Sequence, residues 1–163
     1  MFRRTLLTAV IFLAFPISGH TQPPASPDHQ VLFVCEHGNV KSLMAVSYFN
    51  ALAQSRRLPF RAVSRGVAPD SNVVPDFVRL PLKAEGFDVE GFRPQRMTRD
   101  DVASSERVIV ISTTVPAEAD SATAVEQWND VPPASANYAL ARDSIKAHVA
   151  DLVDRLARAG EAR

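Results

Sequence analysis

The chain has 163 residues, 46% of them apolar, enough for one packed core. Its 18 basic and 18 acidic residues balance to zero, so no global field draws in nucleic acid or an anionic membrane, and any anion site must be local. Cys35 is the only cysteine, which excludes an internal disulfide.

The chain opens on Met1-Phe2-Arg3-Arg4, followed by an apolar run from Leu6 to Phe15, then Pro16, Ser18 and Gly19. A charged start, a short apolar stretch and small residues form the layout of a signal peptide over residues 1–19. The run is shorter than the roughly 20 residues a membrane span requires. The expected product is exported, periplasmic or secreted, with no membrane span in the mature chain. Gln22-Pro23-Pro24-Ala25-Ser26-Pro27 lies in a linker over residues 20–29, and a single α/β domain is expected over 30–163. A lone thiol in an oxidising compartment is either a buried core residue or one kept for chemistry.

Val31-Leu32-Phe33-Val34 reads as a strand buried on both faces, with Cys35 at its end. The loop Glu36-His37-Gly38-Asn39-Val40 follows, and from Lys41 the apolar spacing of Leu43, Val46, Phe49 and Ala53 becomes helical. A second strand is expected at Arg61–Ser64, closed by Gly66, and a helix from Pro75 toward Glu85 that Pro81 must kink or interrupt. Thr98-Arg99-Asp100-Asp101 reads as a capped helix start. Val108–Ile111 reads as a third strand, and a final helix runs from about Asn137 to Ala159. Strands alternating with helices imply three layers around a doubly wound sheet of about four parallel strands, with ligands bound beyond the strands' carboxyl ends. Cys35 falls there.

A Cys-x5-Lys-Ser segment joining a buried strand to a helix can curl its backbone N–H groups around a tetrahedral anion, and the helix start adds partial positive charge. The same donors favour a thiolate, the nucleophilic form of cysteine. Gly38 suits a tight turn and Asn39 tolerates unusual backbone angles. Lys41 supplies a cation and Ser42 a hydroxyl donor. Glu36, His37, Gly38, Asn39, Val40, Lys41 and Ser42 are thus the candidate substrate-binding residues.

The stretch from Val31 to Ser42 resembles the signature of the low-molecular-weight protein tyrosine phosphatases and of the thioredoxin-coupled arsenate reductases that share their fold: a strand followed by Cys-x5-Arg-Ser. The likeness extends through Ser64-Arg65-Gly66, Phe92–Arg96, Asp100-Asp101-Val102 and Val108–Ile111. The resemblance implies hydrolysis of a phosphomonoester through a phosphocysteine, with no cofactor and no metal. It implies Cys35 as nucleophile, Lys41 among the catalytic groups, and an aspartate before the last helix as general acid.

Asp130, in Trp128-Asn129-Asp130-Val131-Pro132-Pro133, is the candidate acid; it is equally readable as a turn residue beside two prolines. Two departures stand inside the loop. Lys41 replaces an arginine that would grip two oxygens in a planar fork, and Gly38-Asn39 is shifted by one position. The partners implied are a phosphorylated protein, a small phosphomonoester or another oxyanion. Arsenate reduction is the alternative, and with no further cysteine it requires an external thiol reductant. A catalytically weak oxyanion-binding protein is a third reading.

Overall fold

The computed structural model describes residues 29–122 and 124–161. The leader read over residues 1–19, and all but the last residue of the linker, lie outside the described residues.

β1 (His29–Cys35) is followed by α1 (Lys41–Ser55), β2 (Phe60–Gly66), α2 (Asp76–Ala84), α3 (Arg99–Ala103), β3 (Arg107–Ile111), a short 3-10 turn (Ala117–Ser121), β4 (Val125–Trp128) and α4 (Tyr138–Glu161). The four strands are parallel, in the order β2-β1-β3-β4. β1 is the centre of the weave: chain direction outward reverses on its two sides, and ligand crevices form at such a point. The doubly wound parallel sheet expected from the sequence is present.

Side chains of β1 alternate between two cores, as pleating requires. Val31, Phe33 and Cys35 face α1, α2 and α4, where Phe49, Leu82, Trp128, Ile145 and Leu152 complete the larger core. Leu32 and Val34 face the other side, against Met97, Val102, Val108 and Val110. Phe33 is the hinge pin of the larger core, its ring centroid 5.6 Å from that of Phe49 and 5.5 Å from that of Trp128, within the range where aromatic pairs attract. α2 runs through Pro81 without a break. Among the described residues no helix is long and apolar enough to cross a membrane.

α3 begins with a reciprocal capping box: Thr98 accepts from the Asp101 backbone N–H, and the Asp101 carboxylate accepts from the Thr98 N–H at 2.9 Å. Arg65, on β2, donates to the same carboxylate. Burial pushes the Asp101 carboxyl up, but the bonds from Arg65 and Thr98 outweigh it and hold the group below its ordinary value. A carboxyl that titrates lower folded than unfolded stabilises above its unfolded range, and that contribution is lost as pH falls through the folded value. Asp101→Asn is therefore expected to cost about 1–2 kcal/mol near neutrality. Urea unfolding at neutral pH and at about pH 3 should show the deficit shrinking in acid; an equal deficit at both contradicts this.

Candidate active site

Cys35 ends β1 in register with Gly66 of β2, and its side chain is buried. The next residues leave the strand as a loop that re-enters helix at Lys41. Val40 occupies the cap position of α1, and no side chain caps the helix. The first-turn N–H groups are thus without a side-chain acceptor, an arrangement able to bind an anion.

Two glycines let the loop close. Gly38 has φ +76°, a left-handed conformation that disfavours a side chain. Gly66 lies directly beneath: a Cβ there would sit 2.7 Å from the His37 carbonyl carbon and 2.9 Å from the Gly38 nitrogen. Backbone passes against backbone, so neither position has room for a methyl group. Val67 N–H donates to Cys35 O at 3.0 Å and Ala68 N–H to Glu36 O at 2.8 Å, tying the loop to the segment after β2. The buried Asn39 adds a further tie, its amide donating to Val73 O at 2.8 Å.

Below the loop a line of small polar groups reaches the thiol. Cys35 Sγ is 3.0 Å from Ser42 Oγ, which is 2.8 Å from Ser64 Oγ, which in turn lies 2.9 Å from Gly38 O. Ser42 and Ser64 are buried, so these hydroxyls have only each other, the sulfur and that carbonyl to bond. When Cys35 is a thiolate the Ser42 proton must point at it, because sulfur then has none to give. Lys41 is half-buried at the head of α1. Burial lowers its ammonium from the usual value, and the charge of Cys35 acts in the opposite direction.

A cleft of about 440 Å³ opens over the thiol, lined by Cys35, Glu36, His37, Asn39, Val40 and Lys41 of the loop and helix start. Asp70, Ser71, Pro75 and Phe77 form one wall, and Ser112, Pro133, Ala134 and Ser135 the other. Gly38 and Ser42 are not among its lining residues. Ser112 adopts φ +48° just past β3, and its hydroxyl donates to Val131 O at 2.9 Å, holding the 131–135 segment against the sheet. Nothing in the sequence around Ser112 marks it. A larger cleft, about 840 Å³, lies at the opposite end of the sheet among His29, Phe60, Arg107 and Gly160, away from Cys35 and the loop that follows it.

Asp130 is not among the residues lining the Cys35 cleft. Its carboxylate oxygens lie 2.8 and 3.0 Å from His148 Nε2, which holds the Asp130 carboxyl below its usual value. The His148 ring is itself stacked on Trp128, with centroids 4.7 Å apart and planes 12° from parallel. Glu36 accepts from the Thr113 hydroxyl at 2.7 Å, and His37 Nδ1 lies 3.2 Å from Asp70 Oδ1.

The profile of the low molecular weight phosphotyrosine protein phosphatases matches residues 30–151. Among solved structures, YfkJ from Bacillus subtilis is similar with a TM-score of 0.71 and 19% identity, covering 80% of this chain and 95% of that one. A low molecular weight phosphotyrosine phosphatase from Vibrio cholerae O395 gives 0.69 and 20%, covering 81% and 99%. An arsenate reductase from Archaeoglobus fulgidus gives 0.60 and 27%, covering 76% and 98%. Among curated proteins no match is found.

Proposed function

The chain belongs to the low molecular weight phosphotyrosine protein phosphatase family, and from that premise we propose that it hydrolyses phosphomonoesters through a phosphocysteine. The observation that carries the reading is a buried thiol at the mouth of β1, hydrogen-bonded to Ser42 and facing a cleft whose floor is an uncapped helix start. In this reading Cys35 Sγ attacks phosphorus while the loop N–H groups and Lys41 hold the three equatorial oxygens, and Ser42 donates to the sulfur before attack and as it leaves. The loop donors are preorganised by the ties from Val67 and Ala68, so little reorganisation accompanies the build-up of charge. Export, read from residues 1–19, belongs to the same proposal.

Arsenate reduction is the second reading, favoured by the likeness to an arsenate reductase. With one cysteine in the chain, the arsenylated Cys35 would have to be attacked at sulfur by a small external thiol. That step forms a mixed disulfide and releases arsenite, the two electrons coming from the two thiols. Purified protein assayed in parallel on an aryl phosphate and on arsenate with a small thiol separates the readings. The proposal expects release of inorganic phosphate in the first and no arsenite in the second; the reverse pattern overturns it.

Lys41 gives a sharper prediction. A lysine offers one point charge where an arginine grips two oxygens, so Lys41→Arg is expected to raise kcat/KM on an aryl phosphate about tenfold, as one further charge-assisted bond in the transition state would. A variant slower than wild type would mean that this loop is shaped around lysine.

A further inference from the structure

A phosphoester leaving group of ordinary basicity needs a proton. The segment from which the sequence nominates a donor presents only Pro133, Ala134 and Ser135 to the cleft, while Asp130 is engaged by His148. Beside Cys35, the titratable side chains on the cleft wall among the described residues are Glu36, His37, Lys41 and Asp70. Glu36 accepts from Thr113, and Lys41 is the cation at the loop's end.

His37 and Asp70 remain, and they are held as a pair. The bonds from Val67 N–H to Cys35 O and from Ala68 N–H to Glu36 O bind the loop to the segment carrying Asp70, and His37 Nδ1 lies 3.2 Å from Asp70 Oδ1. A carboxylate on Nδ1 fixes the ring's tautomer and leaves Nε2 as the nitrogen that gives and takes a proton.

We propose that His37 is the general acid and base of this cleft, with Asp70 as its positioning residue. The inference rests on the phosphocysteine reading above. In the first step the Cys35 sulfur–phosphorus bond forms as the ester P–O bond breaks. Its electron pair goes to the leaving oxygen, which takes the Nε2 proton of the imidazolium. In the second, neutral Nε2 takes a proton from water as the water oxygen attacks phosphorus, and the S–P electrons return to Cys35. Phosphate departs and the imidazolium is restored. Of the cleft's charged groups, Asp70, from the segment after β2, and Glu36, of the loop, favour that imidazolium, while Lys41, from α1, opposes it; the 133–135 wall and Ser112 add no charge.

An exposed His–Asp pair adds little to stability, so a merely structural role would leave rates untouched. The test compares phenyl phosphate, whose leaving group needs protonation, with dinitrophenyl phosphate, whose leaving group does not, across about pH 5 to 8. Wild type, His37→Gln, Asp70→Asn, Asp130→Asn and Cys35→Ser are measured together. His37→Gln is expected to lose about 10²-fold in kcat/KM on phenyl phosphate, far less in kcat/KM on the dinitrophenyl ester, because kcat/KM reports the step that expels the leaving group, and to lose the alkaline limb of kcat/KM on phenyl phosphate. Asp70→Asn should move that limb to lower pH, since removing the anion disfavours the imidazolium.

Full phenyl phosphate turnover by His37→Gln, or a leaving-group-dependent loss that falls on Asp130→Asn instead, overturns the inference alone, provided Cys35→Ser is inert. Turnover by Cys35→Ser, or none by wild type on either ester, overturns the phosphocysteine reading and this inference with it.

Discussion

Cys35→Ser is expected to abolish turnover of an aryl phosphate, with a loss of at least about 10³-fold, the scale on which removal of a covalent nucleophile acts. The cause is local to one atom. A serine hydroxyl stays protonated at neutral pH, and the Ser42 hydroxyl 3.0 Å from the sulfur, which can donate to a thiolate, cannot remove a proton from an alcohol. The rest of the cleft is untouched, because the loop is held by the ties to Val67, Ala68 and Val73 rather than by the sulfur. Inorganic phosphate should therefore still bind, and the loss should appear in kcat rather than in the phosphate dissociation constant. Turnover within tenfold of wild type would assign the chemistry to another residue.

The second large effect is expected from a single methyl group. In Gly66→Ala the new Cβ would lie 2.7 Å from the His37 carbonyl carbon and 2.8 Å from its oxygen, contacts with backbone that no rotamer change relieves. The strand cannot retreat either: Gly66 N–H donates to Gln95 O at 2.8 Å and Gly66 O accepts from Met97 N–H at 2.9 Å. The loop must move instead, and displacing positioned donors by even about 1 Å costs on the order of 10²-fold in rate. A stability loss of about 1–3 kcal/mol should accompany it, as for other overpacked sites. Gly91→Ala is the control, because nothing lies within 4 Å of its Cβ, and its stability should stay within about 0.5 kcal/mol of wild type. Equal kinetics for the two variants would show that the loop is not held by this contact.

What could be read in the sequence was local. The apolar run before Cys35, the helical spacing after Lys41 and the Thr98 cap each lie within one turn or strand, so residue pattern alone reports them. β4 was not legible. It is a strand of four residues, Val125–Trp128, of which only Trp128 is buried, too short for alternation to show. Pro81 was expected to kink or interrupt its helix, and it does not interrupt α2, which runs on to Ala84.

The departures at the site are all non-local. Asp130 stands 18 positions before His148, and only the packing of α4 against Trp128 brings the two together. His37 and Asp70 meet because β1 and β2 end side by side, and no spacing rule joins them. Ser64 had a signal in the Ser-Arg-Gly that ends β2, but its bonds to Ser42 and Gly38 O require the register of two strands to be known. The Gly66 contact is of the same kind: the residue was visible, its reason was not.

The phosphocysteine itself can be seen by intact-protein mass measurement after rapid acid quench of wild type with excess aryl phosphate. A transient species heavier by one phosphoryl group is expected, mapped to Cys35 and absent from Cys35→Ser. Steady hydrolysis with no such adduct at any quench time, or an adduct on another residue, would contradict the phosphocysteine reading.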